Sequence, residues 1–302
     1  MSGTSPLGPP GPRPALLLAC HGSRDGEGAD EAAALAGQVA ALAPGLDVDL
    51  GFIELTAPPL SAAMAALAGR GAGHVVVVPL VLLGAGHAKT DVPASIHLAR
   101  RAHPGVRFTY GAPLGLAPEL LALADERLGA AVPAPLRPAT GVLVVGRGTS
   151  DPDANADLHK LARLLWEGRD WPLVEAAFVG LTEPRVPEGL ERLRRLGAGR
   201  IVVLPWFLFT GVLERRINDQ AAEFAGRHAG VEVTVAGYLG PVRTVAALAL
   251  ERYHQALRGQ ASMTCDLCVH RVPMPGFEDR VGSVQRPHPH PHDHDHAGSA
   301  HG

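Results

Sequence analysis

The chain repeats itself, and no other feature of the sequence constrains its fold as tightly. Residues 52–58, FIELTAP, return as FVGLTEP at 178–184, an offset of 126. The same offset carries GAGHVVVVP at 71–79 onto GAGRIVVLP at 197–205, and HGS at 21–23 onto RGT at 147–149. One spacing held across three separated blocks means two copies of a single folding unit. At 302 residues the chain also exceeds the size at which one core keeps growing, in keeping with two domains. The predicted boundaries are a flexible N-terminus at 1–13, a first unit at 14–132, a second at 139–258 and a tail at 259–302. Pro133, Pro135 and Pro138 mark the linker.

Within each unit, apolar runs alternate with helical patterns. Strands are predicted at 15–20, 47–53, 74–82 and 106–110, with helices at 28–43, 58–69, 92–102 and 117–129. The second unit places its strands near 141–146, 173–179, 200–207 and 231–236. The strands are continuous Val- and Leu-rich runs, as required when both faces of a sheet are covered. Strand, helix, strand in this order gives right-handed crossovers, so the expected fold class is α/β, with two tandem doubly wound parallel sheets.

Composition excludes several classes. A net charge of −3 gives no basic face for nucleic acid. The longest apolar stretch, 75–85, is interrupted by Pro79 and falls short of the ~20 residues that span a bilayer. The segment ALLLACHGSRD at 15–25 has too short an apolar run, and the wrong flanks, for a lipoprotein signal, and reads as a buried strand ending at His21. Three cysteines make no disulfide framework, which points to a reducing cytoplasm. No P-loop or GxGxxG follows a strand, so no nucleotide is expected.

In open parallel sheets ligands bind beyond the carboxyl ends of the strands. His21, Glu54 and His87 follow the first, second and third strands, so the topology brings them to one cleft. At the same offset the second unit has Arg147, Gly180 and Leu213. The scaffold was copied and the three polar groups are missing from the copy, as expected if they act as a unit. Two imidazoles with a carboxylate suit a borderline divalent metal, and they also accept protons near neutral pH. Inserting a metal into a tetrapyrrole needs both, since two ring N–H protons leave as the metal enters. Cys20, directly before His21, is expected to pack as a small buried hydrophobe.

At these residues the sequence resembles the class II chelatases, and within them the long CbiX-type sirohydrochlorin chelatases. The resemblance rests on HGSR (His21 to Arg24), on Phe52-Ile53-Glu54 and on GHAKTDVP (Gly86 to Pro93), and covers residues 14–258 and the tail. It implies that His21 and His87 carry the metal insertion and that Glu54 assists the metal. The implied substrates are sirohydrochlorin, a macrocycle with eight carboxylate arms, and cobalt(II), with iron(II) as the alternative. Such a ligand calls for cationic rims and backbone N–H groups. Gly22, Ser23, Arg24 and Lys89 are the expected contacts, with Arg215 and Arg216 as a weaker guess for a far wall.

The tail is a separate compositional unit. Cys265 and Cys268 form a CxxC that fits redox chemistry, zinc or a cluster, and residues 287–302, PHPHPHDHDHAGSAHG, are metal-binding in composition and too polar to pack. By resemblance, Met263, Cys265 and Cys268 match an MxCxxC motif associated with an iron–sulfur cluster. Such a cluster needs about four ligands, so both monomer and homodimer stay open. A metal-storage protein is the rival reading from outside enzymology.

Overall fold

A computed structural model of the chain describes residues 14–23, 25–263 and 266–283. The first half runs β1 (Pro14–Cys20), α1 (Gly26–Leu42), β2 (Asp47–Phe52), α2 (Leu60–Gly69), β3 (His74–Pro79), α3 (Val92–Ala102), β4 (Arg107–Tyr110) and α4 (Pro118–Ala131). The second runs β5 (Thr140–Gly146), α5 (Pro152–Trp166), β6 (Val174–Phe178), α6 (Val186–Arg195), β7 (Arg200–Pro205), α7 (Val212–Arg227), β8 (Glu232–Val235) and α8 (Arg243–Leu257). Each half forms a four-stranded parallel sheet, ordered β2-β1-β3-β4 and β6-β5-β7-β8. The duplicated α/β architecture is therefore present. The third strand of each half stops at its proline, short of the predicted ends, and the proline-rich linker forms a 3-10 turn at Ala134–Ala139.

β1 shows why these strands read as unbroken apolar runs. Leu16, Leu18 and Cys20 point into one core, and Ala15, Leu17 and Ala19 into another. Each fully buried Leu or Val contributes roughly 1.5–3 kcal/mol. The first of these cores is shared, because it continues through Val142 and Val144 of β5 and Val202 and Leu204 of β7. The halves also exchange their last helices: α8 packs on β3 and β4, and α4 packs on β7.

Charged turns tie the halves together reciprocally. Lys89 Nζ donates to Asp151 and Asp153 at 2.8 and 2.9 Å, and Arg215 pairs with Asp25 and Glu27. All three positions match at the offset of 126, so residue i meets the copy of j while j meets the copy of i, as across a two-fold axis. Asp25 and Asp151 also cap α1 and α5, accepting from the N–H of Glu27 and Asp153.

The offset slips in one place. Lys89 N–H donates to Ala85 and Arg215 N–H to Gly211, still 126 apart. Beyond this, the buried face of α3 (Val92, Ile96, Ala99) matches that of α7 (Ile217, Ala221, Phe224) at 125. The extra residue is absorbed in a π-helical turn, His87–Asp91, where Val92 N–H reaches back five residues to the His87 carbonyl. Pro93 has no N–H to continue the ladder. The Ala88 carbonyl is satisfied instead by Tyr110, whose hydroxyl donates to it at 2.6 Å.

Exposure sets the strength of the two ties. Burial opposes the Lys89 charge, but hydrogen bonds and attraction from Asp151 and Asp153 outweigh it and hold the ammonium above its ordinary pKa. The Lys89 side chain is 6% exposed, against 48% for Arg215. Lys89→Met should therefore destabilise the fold by about 3–5 kcal/mol, since it strands a buried Asp151. Arg215→Met should cost under about 1 kcal/mol. Urea denaturation of the two variants, compared by midpoint, measures the difference.

Candidate metal centre

Three turns at the carboxyl ends of β1, β2 and β3 build the site. His21 follows β1, and Gly22 follows it at φ +95°, where a Cβ would lie 1.7 Å from the Glu54 carbonyl oxygen. Only glycine permits that approach, and it lets Glu54 N–H donate to the His21 carbonyl at 3.0 Å. Leu55 then turns left-handed at φ +64°, a conformation that costs a non-glycine residue on the order of 1–3 kcal/mol and concentrates at functional sites. Thr56 locks the turn, its hydroxyl accepting from Ser23 N–H and donating to the Ser23 carbonyl. His87 opens the π turn.

The side chains converge. His21 Nε2 lies 3.0 Å from His87 Nε2 and 3.3 Å from Glu54 Oε1. His87 Nδ1 is 2.6 Å from the carboxylate of Asp91, which is 1% exposed. That carboxylate accepts from Nδ1–H and orients the ring so that Nε2 faces His21. His21 Nδ1 faces the Gly22 carbonyl at 3.1 Å, while its Nε2 receives Arg147 Nη1 at 3.0 Å. A guanidinium only donates, so His21 Nε2 is an acceptor. Two imidazole Nε2 atoms and a carboxylate oxygen thus meet at one point. Among the described residues, these three form the group of His, Cys, Asp or Glu donors close enough to hold one ion. Burial, then the neighbouring His87 and Arg147, push the His21 pKa down from 6.5 to about 4.

The CbiX family model matches twice, over residues 15–131 and 141–256. The chain belongs to the CbiX family. This CbiX chain is 39% identical over 264 residues to the sirohydrochlorin cobaltochelatase of Priestia megaterium, covering 85% of this chain and 84% of that protein. It is 33% identical to the sirohydrochlorin ferrochelatase of the same organism, covering 75% and 84%. Among solved structures it resembles SirB from Bacillus subtilis with Fe3+, at 31% identity and a TM-score of 0.72, over 83% of this chain and 99% of that one. The sirohydrochlorin chelatase SirB from Bacillus subtilis subspecies spizizenii in complex with cobalt aligns at 29% identity and a TM-score of 0.70, over 82% and 98%.

Of the residues singled out from the CbiX sequence, His21, Glu54 and His87 come together. Several residues of the expected substrate rim have partners within the protein. The Lys89 ammonium is taken up by Asp151 and Asp153, and Arg215 by Asp25 and Glu27. Ser23 uses its N–H on Thr56 and its hydroxyl on the Asp25 N–H. Gly22 serves the backbone crossing, Arg216 is exposed, and Arg24 lies outside the described residues. Cys20 is buried as expected, and burial pushes its thiol pKa up. In the tail, Cys268 is buried, whereas Cys265 and residues 287–302 lie outside the described residues. Among the described residues the tail adds no second group of three donors. Sequence reasoning missed two participants, Asp91 and Arg147. The first was signalled by its i,i+4 spacing from His87.

Replacing Asp91 by Asn keeps the shape and removes the charge behind His87. Cobalt(II) affinity should fall about 10–100-fold, read by titration of the visible cobalt spectrum. An unchanged Kd would reduce Asp91 to a packing role. Because the His21 pKa is lowered on folding, the folded state holds fewer protons than the unfolded chain between about pH 6.5 and 4. Stability should therefore be lost as the pH falls through that window. In metal-free protein the His21 ring signals should titrate near pH 4 by NMR rather than near 6.5.

Proposed function

We propose that this chain is a sirohydrochlorin cobaltochelatase of cobalamin biosynthesis, inserting Co2+ into the macrocycle with release of two protons. The observation that carries the reading is the convergence of His21 Nε2, His87 Nε2 and Glu54 Oε1 on one point at the cleft. A borderline divalent ion accepts such a donor set. The metal substrate is held there, and the macrocycle docks over it. As the pyrrole nitrogens take the metal, the imidazole lone pairs it vacates stand beside the two N–H protons that must leave. The low His21 pKa keeps that ring neutral, and so able to ligate, near neutral pH.

The choice of cobalt is supported by the 39% identity to a cobaltochelatase and by the His-rich tail. Iron insertion for siroheme is the second reading, supported by the ferrochelatase relative and the SirB structure with Fe3+. We place the protein in the cytoplasm: its cysteine usage supports a reducing compartment, and among the described residues no helix is long and apolar enough to cross a membrane. The three donors belong to one chain, so a monomer contains the site, and a homodimer joined through the tail cysteines is the alternative.

Anaerobic rates with Co(II) and Fe(II), measured side by side from the visible spectrum of sirohydrochlorin, test the function. Cobalt should be inserted faster, and His87→Ala should abolish insertion of both while leaving the circular dichroism unchanged. Faster iron insertion would move the protein to the siroheme reading. Retarded insertion with cobalt, relative to the metal and macrocycle alone, would mark a storage protein.

A further inference from the structure

The second copy has lost its own donors but keeps a place at the site. Arg147 is the residue that corresponds to His21, and its guanidinium reaches across the interface to His21 Nε2 at 3.0 Å. It therefore occupies a lone pair that a metal ion needs, and two cations cannot share it. We propose that Arg147 is a placeholder cation, displaced from His21 by the entering metal and then paired with a carboxylate of the incoming macrocycle. The second step rests on the chelatase reading, and the first does not.

Three observations support the exchange. Arg147 is exposed, so its departure leaves no buried group stranded. Its partner is a neutral imidazole, whereas Lys89 and Arg215 are each held by two carboxylates. The guanidinium is thus the one of these three cations free to take an anionic arm in a two-pronged bond. Finally, the copy carries Gly180 where the first half has Glu54. A Cβ there would lie 2.3 Å from the Arg147 carbonyl oxygen and 3.8 Å from its Cγ. A side chain at that position would have no room beside the backbone, so no carboxylate stands there to hold the guanidinium within its own half. The loss of the carboxylate and the gain of the arginine therefore work in the same direction.

The test uses the full chain and two readouts. Arg147→Gln retains an N–H donor and removes the charge that repels a divalent ion, so the Kd for Co(II) alone should tighten by about tenfold or more. The KM for sirohydrochlorin should rise several-fold, with kcat changing less. Arg147→Lys keeps the charge without the fork; its cobalt Kd should stay near the parent value while KM rises. Thermal melts confirm that both variants fold. Unchanged or weakened cobalt binding in Arg147→Gln overturns the displacement, and tightened cobalt binding with an unchanged KM overturns the carboxylate pairing. Because the cobalt titration needs no macrocycle, a protein that shows the affinity change yet inserts no metal would sink the chelatase reading and leave the displacement standing.

Discussion

The reciprocal pairing of Lys89 with Asp151 and Asp153, and of Arg215 with Asp25 and Glu27, is the constraint from which the rest of the arrangement follows. It brings equivalent turns of the two halves face to face. Positions related by the duplication then meet one another, and His21 touches Arg147. Divergence in either half alters a common cleft. The half without donors shapes the site from outside the ligand set.

The first half supplies the donors by backbone means as much as by side chains. The glycine crossing at 22, the left-handed Leu55 and the π turn each carry some local cost or constraint, and all three adjoin a donor. The copy departs at two of these points: it has no left-handed residue at Leu181, and its α7 begins in ordinary α geometry. Loss of the donors and relaxation of the backbone that presented them go together.

Much of this was legible in the sequence. The repeat gave two domains, the apolar runs gave the strands of a parallel sheet, and the strand ends gave His21, Glu54 and His87. The partners of Lys89, Ser23 and Arg215 were not legible, for a single reason. Each lies at the expected edge, but its polar groups find partners in a turn or in the opposite half, and one-dimensional periodicity does not report how two domains face each other. Arg147 was noticed as a missing histidine and not as a contributor, for the same reason. The exchange of α4 and α8 between sheets was likewise invisible, since each helix looks the same whichever sheet it covers.

The single-residue slip between the halves has a consequence for how such a protein can change. An added residue in a regular helix would rotate every later side chain by about 100° and pull the hydrophobic stripe off its sheet. Confined to one wide coil next to His87, it leaves Val92, Ile96 and Ala99 seated as their counterparts are. Chemistry at the mouth and packing beneath it are thereby insulated from each other, so the donor-bearing loop is able to evolve while the foundation stays still.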